Sequence, residues 1–256
     1  MSEPSKRRPA LLWAGAGLLI AVAIVVLFAS QGGAGGGGGP LNAIAEAAEV
    51  TQREPGGHAT MRATVTTPDR PEPLTMTGSM FFDGEGDSNG VITAPDPDGG
   101  VPVVMHMIGI GRSMYMRSNE FGKLNEEGKW LGLVLPADGE SSGPVPSQSD
   151  AGQVLEKLEE TTGAEKVGTG KVDGVPTTRY RGSLKDGGPI EVWIDGENHI
   201  RRTRMVMSKA KSGATKPTTT VMTMDYYGYG PVPGIKPPDP SDVIDGNKLV
   251  ENGPAQ

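Results

Sequence analysis

The chain contains no cysteine. That excludes disulfides, a thiol nucleophile, a thiolate metal site and a lipid-bearing cysteine. Aromatic residues are scarce as well, with four Phe, five Tyr and three Trp among 256 residues, so stacked rings cannot build the core. Positive charge is in deficit. Setting aside Glu3, Lys6, Arg7 and Arg8, 21 Lys and Arg stand against 30 Asp and Glu, and an acidic domain of this kind is a poor binder of nucleic acid. Catalytic signatures are missing too: no G-x-S-x-G, H-E-x-x-H or P-loop occurs. Gly109-Ile110-Gly111 lacks the third glycine and the following helix of a dinucleotide fingerprint. The adjacent pairs Glu126-Glu127 and Glu159-Glu160 point apart on any regular element. Neither an enzyme nor a cofactor is expected.

What is present begins with one long apolar run, Ala10 to Ser30, which carries no charge. At 1.5 Å per residue, about 20 helical residues cross the roughly 30 Å of a bilayer core. Lys6, Arg7 and Arg8 precede it and place the N-terminus on the cytoplasmic side. The alternative is a cleaved signal peptide ending at Gly32-Gly33-Ala34, but a signal h-region runs only about 7–15 residues. The expectation is a single-pass anchor in the cell membrane with the rest of the chain outside. Residues 1–9 are then cytoplasmic, 10–30 the transmembrane anchor, 31–40 a glycine-rich linker, 41–245 the extracytoplasmic domain and 246–256 a disordered tail. The linker offers reach and nothing to pack.

Leu41 to Gln52 reads as a helix, with Leu41, Ile44, Ala45 and Ala48 on one stripe, ended by Glu54-Pro55-Gly56-Gly57. Alternating strand patterns follow: His58–Thr67, Leu74–Phe82, Gly90–Thr93, Val101–Ile110, Ser113–Arg117 and Lys129–Leu135. Asp83 to Gly90 is a solvated turn, since the closing Glu of a calcium loop is absent. Ser149-Asp150 caps a second helix, Ala151 to Thr161, with Val154, Leu155 and Leu158 on its apolar stripe. Lys166–Leu184 forms a hairpin around Asp173-Gly174, and Pro189–Met207 another around Gly196-Glu197. Thr215–Gly228 is a last strand, and beyond Pro231 the chain is Pro-rich and expected to fray. Short turns force antiparallel neighbours. The fold class is α+β, mainly β, with about ten strands in one antiparallel sheet over helices on one face.

Methionine is the informative residue. Eight of them fall in Met-x-Met pairs: Met105 and Met107, Met114 and Met116, Met205 and Met207, Met222 and Met224. Residues i and i+2 of a strand share a face, so four strands each present two thioethers on one side. Met61, Met76 and Met80 join them. A two-residue Gly196-Glu197 loop would oppose Trp193 to Ile200 and Glu191 to Arg202. Val192 and Ile194 then share the methionine face with Ile190, His199, Arg201, Thr203, Met205 and Met207. Such a stripe fills an ordinary core in many proteins. Methionine, however, is unbranched and polarizable and repacks around variable ligands, so this set is expected to line a cavity for lipid or acylated ligands. Two alternatives are a sensory or interaction domain with no ligand, and a Cu(I) site around Met105-His106-Met107. The alternation turns His106 away from its neighbours and weighs against copper.

Read in order, these pieces resemble the LolA-like lipoprotein-carrier superfamily, especially its LppX/LprG type of envelope lipid carriers. The resemblance runs from Leu41–Gln52 through Phe81-Phe82-Asp83-Gly84, Gly128-Lys129-Trp130, Gly168–Tyr180, Val192-Trp193-Ile194-Asp195-Gly196 and Ile200-Arg201-Arg202. It ends at Met224-Asp225-Tyr226-Tyr227-Gly228-Tyr229-Gly230 and Ile235-Lys236-Pro237-Pro238. It implies an open half-barrel sheet wrapped over two or three helices, an apolar cavity for acyl chains, and a carrier or sensor role with a possible envelope protein partner. The chain departs from those relatives in having no cysteine for lipidation. That favours hand-off at the membrane over free shuttling.

Overall fold

The computed structural model describes residues 39–68, 70, 72–96, 99–122, 127–134, 163–184, 188–209 and 217–247. It comprises one helix, α1 (Pro40–Gln52), and the strands β1 (Gly56–Thr66), β2 (Leu74–Asp83), β3 (Ser88–Ala94), β4 (Val103–Ile110), β5 (Ser113–Ser118), β6 (Trp130–Val134), β7 (Glu165–Val172), β8 (Val175–Leu184), β9 (Gly188–Asp195), β10 (Ile200–Lys209), β11 (Thr218–Tyr227) and β12 (Val243–Asp245). All twelve strands form one open curved sheet, ordered β12-β6-β5-β4-β3-β2-β1-β11-β10-β9-β8-β7. Two meanders, β1 to β6 and β7 to β11, meet where β1 pairs with β11. β6 and β7, consecutive among these strands, stand at opposite ends of the sheet.

The count of about ten strands falls short of twelve, chiefly because the tail is ordered. Instead of fraying after Pro231, the chain carries β12, which pairs parallel with β6 and breaks the all-antiparallel expectation. The polar groups of the tail find partners: Gly230 N–H donates to the Gly56 carbonyl at 2.9 Å, and Lys129 Nζ donates to the Ser241 carbonyl at 2.8 Å. Asn247 donates to the Val134 carbonyl at 3.1 Å and accepts from its N–H at 3.2 Å. The Asp83–Gly90 turn is shorter than expected, because Ser88 to Gly90 already belong to β3. Asp83 Oδ1 closes it by accepting from Glu85 and Asp87 N–H, both at 3.0 Å. The Asp173-Gly174 turn forms as expected, with both residues at positive φ between the paired Val172 and Val175.

α1 starts at Pro40, whose missing N–H costs nothing in the first turn. Its buried stripe is Ile44, Ala47, Ala48 and Thr51 rather than one through Leu41 and Ala45. The helix is rotated because Thr51 Oγ1 accepts a buried hydrogen bond from Ile200 N–H at 3.0 Å. α1 lies against β7, β9 and β10. The expected second helix at Ala151–Thr161 and the apolar segment at Ala10–Ser30 lie outside the described residues. Among the described residues no helix is long and apolar enough to cross a membrane.

Candidate functional site

The sheet register aligns the inner-facing side chains into cross-strand rows. One row runs Ser118, Met105, Ile92, Gly78, Met61, Met224, Thr203, Val192, Tyr180 from β5 to β8. A second runs Leu131, Met116, Met107, Gly90, Met80, Ala59, Tyr226 from β6 to β11. A third runs Met76, Ala63, Met222, Met205, Ile190, Gly182. The structure brings the sequence-singled residues together. Met61, Met76, Met105, Met107, Met114, Met116, Met205, Met222, Met224, Val192 and Ile194 are buried in one cluster, and Met80 and Met207 pack against it half-buried. Ile44, Ala47 and Ala48 of α1 complete that cluster.

Small residues punctuate the rows. Gly90 separates Met107 from Met80, Gly78 separates Ile92 from Met61, and Ala63 separates Met76 from Met222. A Cβ on Gly78 would sit 3.4 Å from the Met61 methyl and 3.2 Å from Ile92 Cγ1, and one on Gly90 would sit 2.7 Å from Met80 Cβ. Flexible thioethers thus stand beside floor positions that carry no bulk, and the thioether has rotamers that sweep across them. Met76, Met105, Met107, Met114 and Met116 lie on β2, β4 and β5, away from the strands that carry the main contacts of α1.

The inner face carries polar groups, and among the described residues the first row ends in a charge, Lys166 standing in register opposite Tyr180. Tyr226 is fully buried; its hydroxyl lies 3.4 Å from Thr203 Oγ1 and from Met224 Sδ. Burial pushes its ionisation far above the ordinary phenol range. Tyr229 hydroxyl donates to the Ile200 carbonyl and is likewise held neutral by burial. His106 projects from the exposed outer face while Met105 and Met107 face inward, so that tripeptide does not converge on one copper ion.

The β9–β10 connection departs from the two-residue loop. Asp195 N–H donates to the His199 carbonyl at 3.0 Å, Asn198 takes positive φ, and the register shifts between Ile200 and Arg202. Trp193 therefore opposes Arg202, and Glu191 opposes Arg204. Ile200 turns inward beside Ile194, while His199 stacks on Tyr229 at 4.7 Å and the Arg201 guanidinium lies 5.1 Å from the same ring. The longer loop arises because Asp195 Oδ1 accepts from both Glu197 and His199 N–H at 2.9 Å, an Asx arrangement that the sequence spacing alone did not disclose. His199 Nε2 meets Glu54 Oε1 at 2.7 Å, which ties the end of α1 to this turn. Asp195, Glu197 and His199 bring potential metal-binding atoms within 4.8 Å of one another. Yet Asp195 is engaged on both oxygens, Oδ2 with Arg201 Nε at 2.5 Å, and that guanidinium opposes a cation. The cluster serves as a turn clamp.

An open sheet, one face paved with methionine and covered in part by a short helix, is the fold that this chain shares with a solved mycobacterial lipoprotein. The chain is similar to the lipoprotein LppX of Mycobacterium tuberculosis, with 16% identity over 77% of this chain and 98% of that one at TM-score 0.50. It is also similar to LprF of Mycobacterium bovis, with 15% identity over 78% and 96% at TM-score 0.45. A LolA superfamily protein of Nitrosomonas europaea matches with 10% identity over 72% and 91% at TM-score 0.28. At these identities the likeness is one of fold. No family model matches the chain, and no curated protein does.

Proposed function

We propose that the domain binds lipid or an acylated ligand on its methionine face and holds it beside a membrane, as a carrier rather than a catalyst. The observation behind this reading is the gathering of Met61, Met76, Met80, Met105, Met107, Met114, Met116, Met205, Met207, Met222 and Met224 in register on one face of an open sheet. Stiffer residues would pack a fixed core better. Thioethers beside Gly78, Gly90 and Ala63 leave a surface that reshapes around hydrocarbon. Charge reaches the described rows at the sheet's edge, where Lys166 stands opposite Tyr180, which suits an acyl chain whose headgroup stays at the rim. Residues 10–30 supply the anchor, with the N-terminus inside and the domain on the extracytoplasmic side, and the linker 31–40 sets its reach.

Native mass spectrometry of the purified full chain in detergent tests the ligand. Co-purifying lipid, displaced by a fluorescent fatty-acyl probe, is the expected result. A chain that carries none and takes up no probe overturns the proposal. Alkaline extraction of membranes tests the anchor, which keeps the chain in the pellet. One observation favours a second reading, a sensory domain with an ordinary core: Met116, Met222 and Met224 are each only 1% exposed. An envelope protein partner suits either reading.

A further inference from the structure

The outer face of β1 and β8–β11 carries a second concentration of chemistry. Arg62, Thr223, Arg204, Glu191 and Arg181 lie in one cross-strand row, and Asp225, Arg202, Trp193 and Arg179 in the next. A third row holds Phe81, His58 and Tyr227, with His58 stacked on Tyr227 at 5.7 Å. Three arginines surround Glu191: Arg179 and Arg181 bond it, and Arg204 stands 3.6 Å away. Arg202 Nη2 donates to Asp225 Oδ2 at 2.8 Å. Trp193 sits between Arg179 and Arg202, at 5.1 and 5.9 Å.

The signs of charge are layered. The Glu191 and Asp225 side chains are 9% and 23% exposed, whereas those of Arg179, Arg181, Arg202 and Arg204 are 31% to 49% exposed. Arg62 is exposed beside them. Glu165 faces Arg181 from the edge at 4.0 Å, and Asp173 acts on Arg202 from the β7–β8 turn. Over the centre of the patch a flat partner therefore meets guanidiniums and ring edges before it meets Glu191 and Asp225, with the exposed carboxylates Glu165 and Asp173 at its β7–β8 border, although the chain as a whole carries −7.

We propose that this outer face rests on an anionic phospholipid surface, leaving the methionine face open away from the bilayer. The inference rests on the membrane-anchored reading above. Guanidiniums pair with phosphate oxygens in a fork geometry, and Trp and Tyr rings settle at headgroup depth. An acidic protein would employ the arginines but leave that second preference unused; a headgroup layer satisfies both. Nine residues, 31–39, separate the proposed anchor from α1, and a fully extended stretch of that length reaches about 30–32 Å, enough to round a layer about 10 Å thick from α1 on the inner side. The tether keeps the patch permanently near the bilayer surface.

A chain without cysteine accepts a single reporter. Full-length Thr223→Cys, labelled with a fluorophore between Arg62 and Arg204, is reconstituted into vesicles containing headgroup spin-labelled lipid. Val134→Cys at the far edge is the control. Quenching at position 223 is expected to be about threefold stronger with about 30% phosphatidylglycerol than with phosphatidylcholine alone. It falls back in about 0.5 M salt, where the Debye length is about 4–5 Å, and in Arg62→Glu, which breaks no ion pair described above. Position 134 shows no such dependence. A chain that floats with the vesicles but quenches at 223 regardless of lipid charge overturns the docking and spares the anchor. Equal charge-dependent quenching at both positions overturns the assigned face. A chain that does not float overturns anchor and docking together.

Discussion

Truncating methionines one at a time separates those that hold the sheet together from those that meet a ligand. Met224 is 1% exposed, flanked in its row by Met61 and Thr203, with the Tyr226 hydroxyl on its sulfur. Met224→Ala deletes three buried heavy atoms, worth about 0.8 kcal/mol each, and leaves a cavity that adds to the loss. The expected cost is about 3 kcal/mol. For a domain of this size that lowers the melting temperature by about 6–12 °C. Met80 and Met207 are only half-buried, so Met80→Ala and Met207→Ala should each cost about 1 kcal/mol. If they border the ligand, each loss of acyl contact weakens a fluorescent acyl probe about three- to tenfold. Circular dichroism melts and probe titrations on the same samples read both quantities. Met80→Ala and Met207→Ala melting as low as Met224→Ala while binding the probe unchanged would refute this, since the whole face would then be ordinary core.

Three further outcomes follow from the described contacts. Thr51→Val leaves the buried Ile200 N–H without its acceptor and should cost about 1–3 kcal/mol, measured by denaturant unfolding; a neutral result would mean that α1 is not fixed at this point. Burial raises the ionisation of Glu191, but Arg179, Arg181 and Arg204 outweigh it and hold the carboxyl below its ordinary 4.5. Stability from a carboxyl lowered in the folded state is present above the unfolded value and is lost as pH falls through the folded one. Glu191→Gln should thus be less stable than the parent near neutrality and lose less of its stability below about pH 4, in melts recorded across pH. Asn247→Ala removes both bonds to Val134, and amide exchange there should quicken while β1 and β11 stay protected; unchanged exchange would show that β12 alone holds that edge.

The methionine face was legible in the sequence because strand alternation is a strict period of two, and Met-x-Met preserves it whatever the neighbours. The Asp173-Gly174 hairpin was legible for a similar reason: turn chemistry there is local. The β9–β10 register was not, because it depends on which backbone amides Asp195 captures, and a shift between Ile200 and Arg202 brings Arg202 opposite Trp193. The rotation of α1 was hidden in Thr51, a residue that reads as polar surface until Ile200 supplies a donor for it. β12 was missed because three residues after a proline-rich stretch carry almost no periodicity; their strand exists only because β6 offers an edge. The layered arginines on the outer face were invisible in the charge balance, which averages them into an acidic total.

The seam between β1 and β11 has a consequence for biosynthesis. Each meander can zip hairpin by hairpin as it leaves the ribosome, yet the strand that joins them is nearly the last to emerge. Until Thr218–Tyr227 is made, the greasy floor exists only as two separate half-floors, and a continuous trough arrives in a single late step.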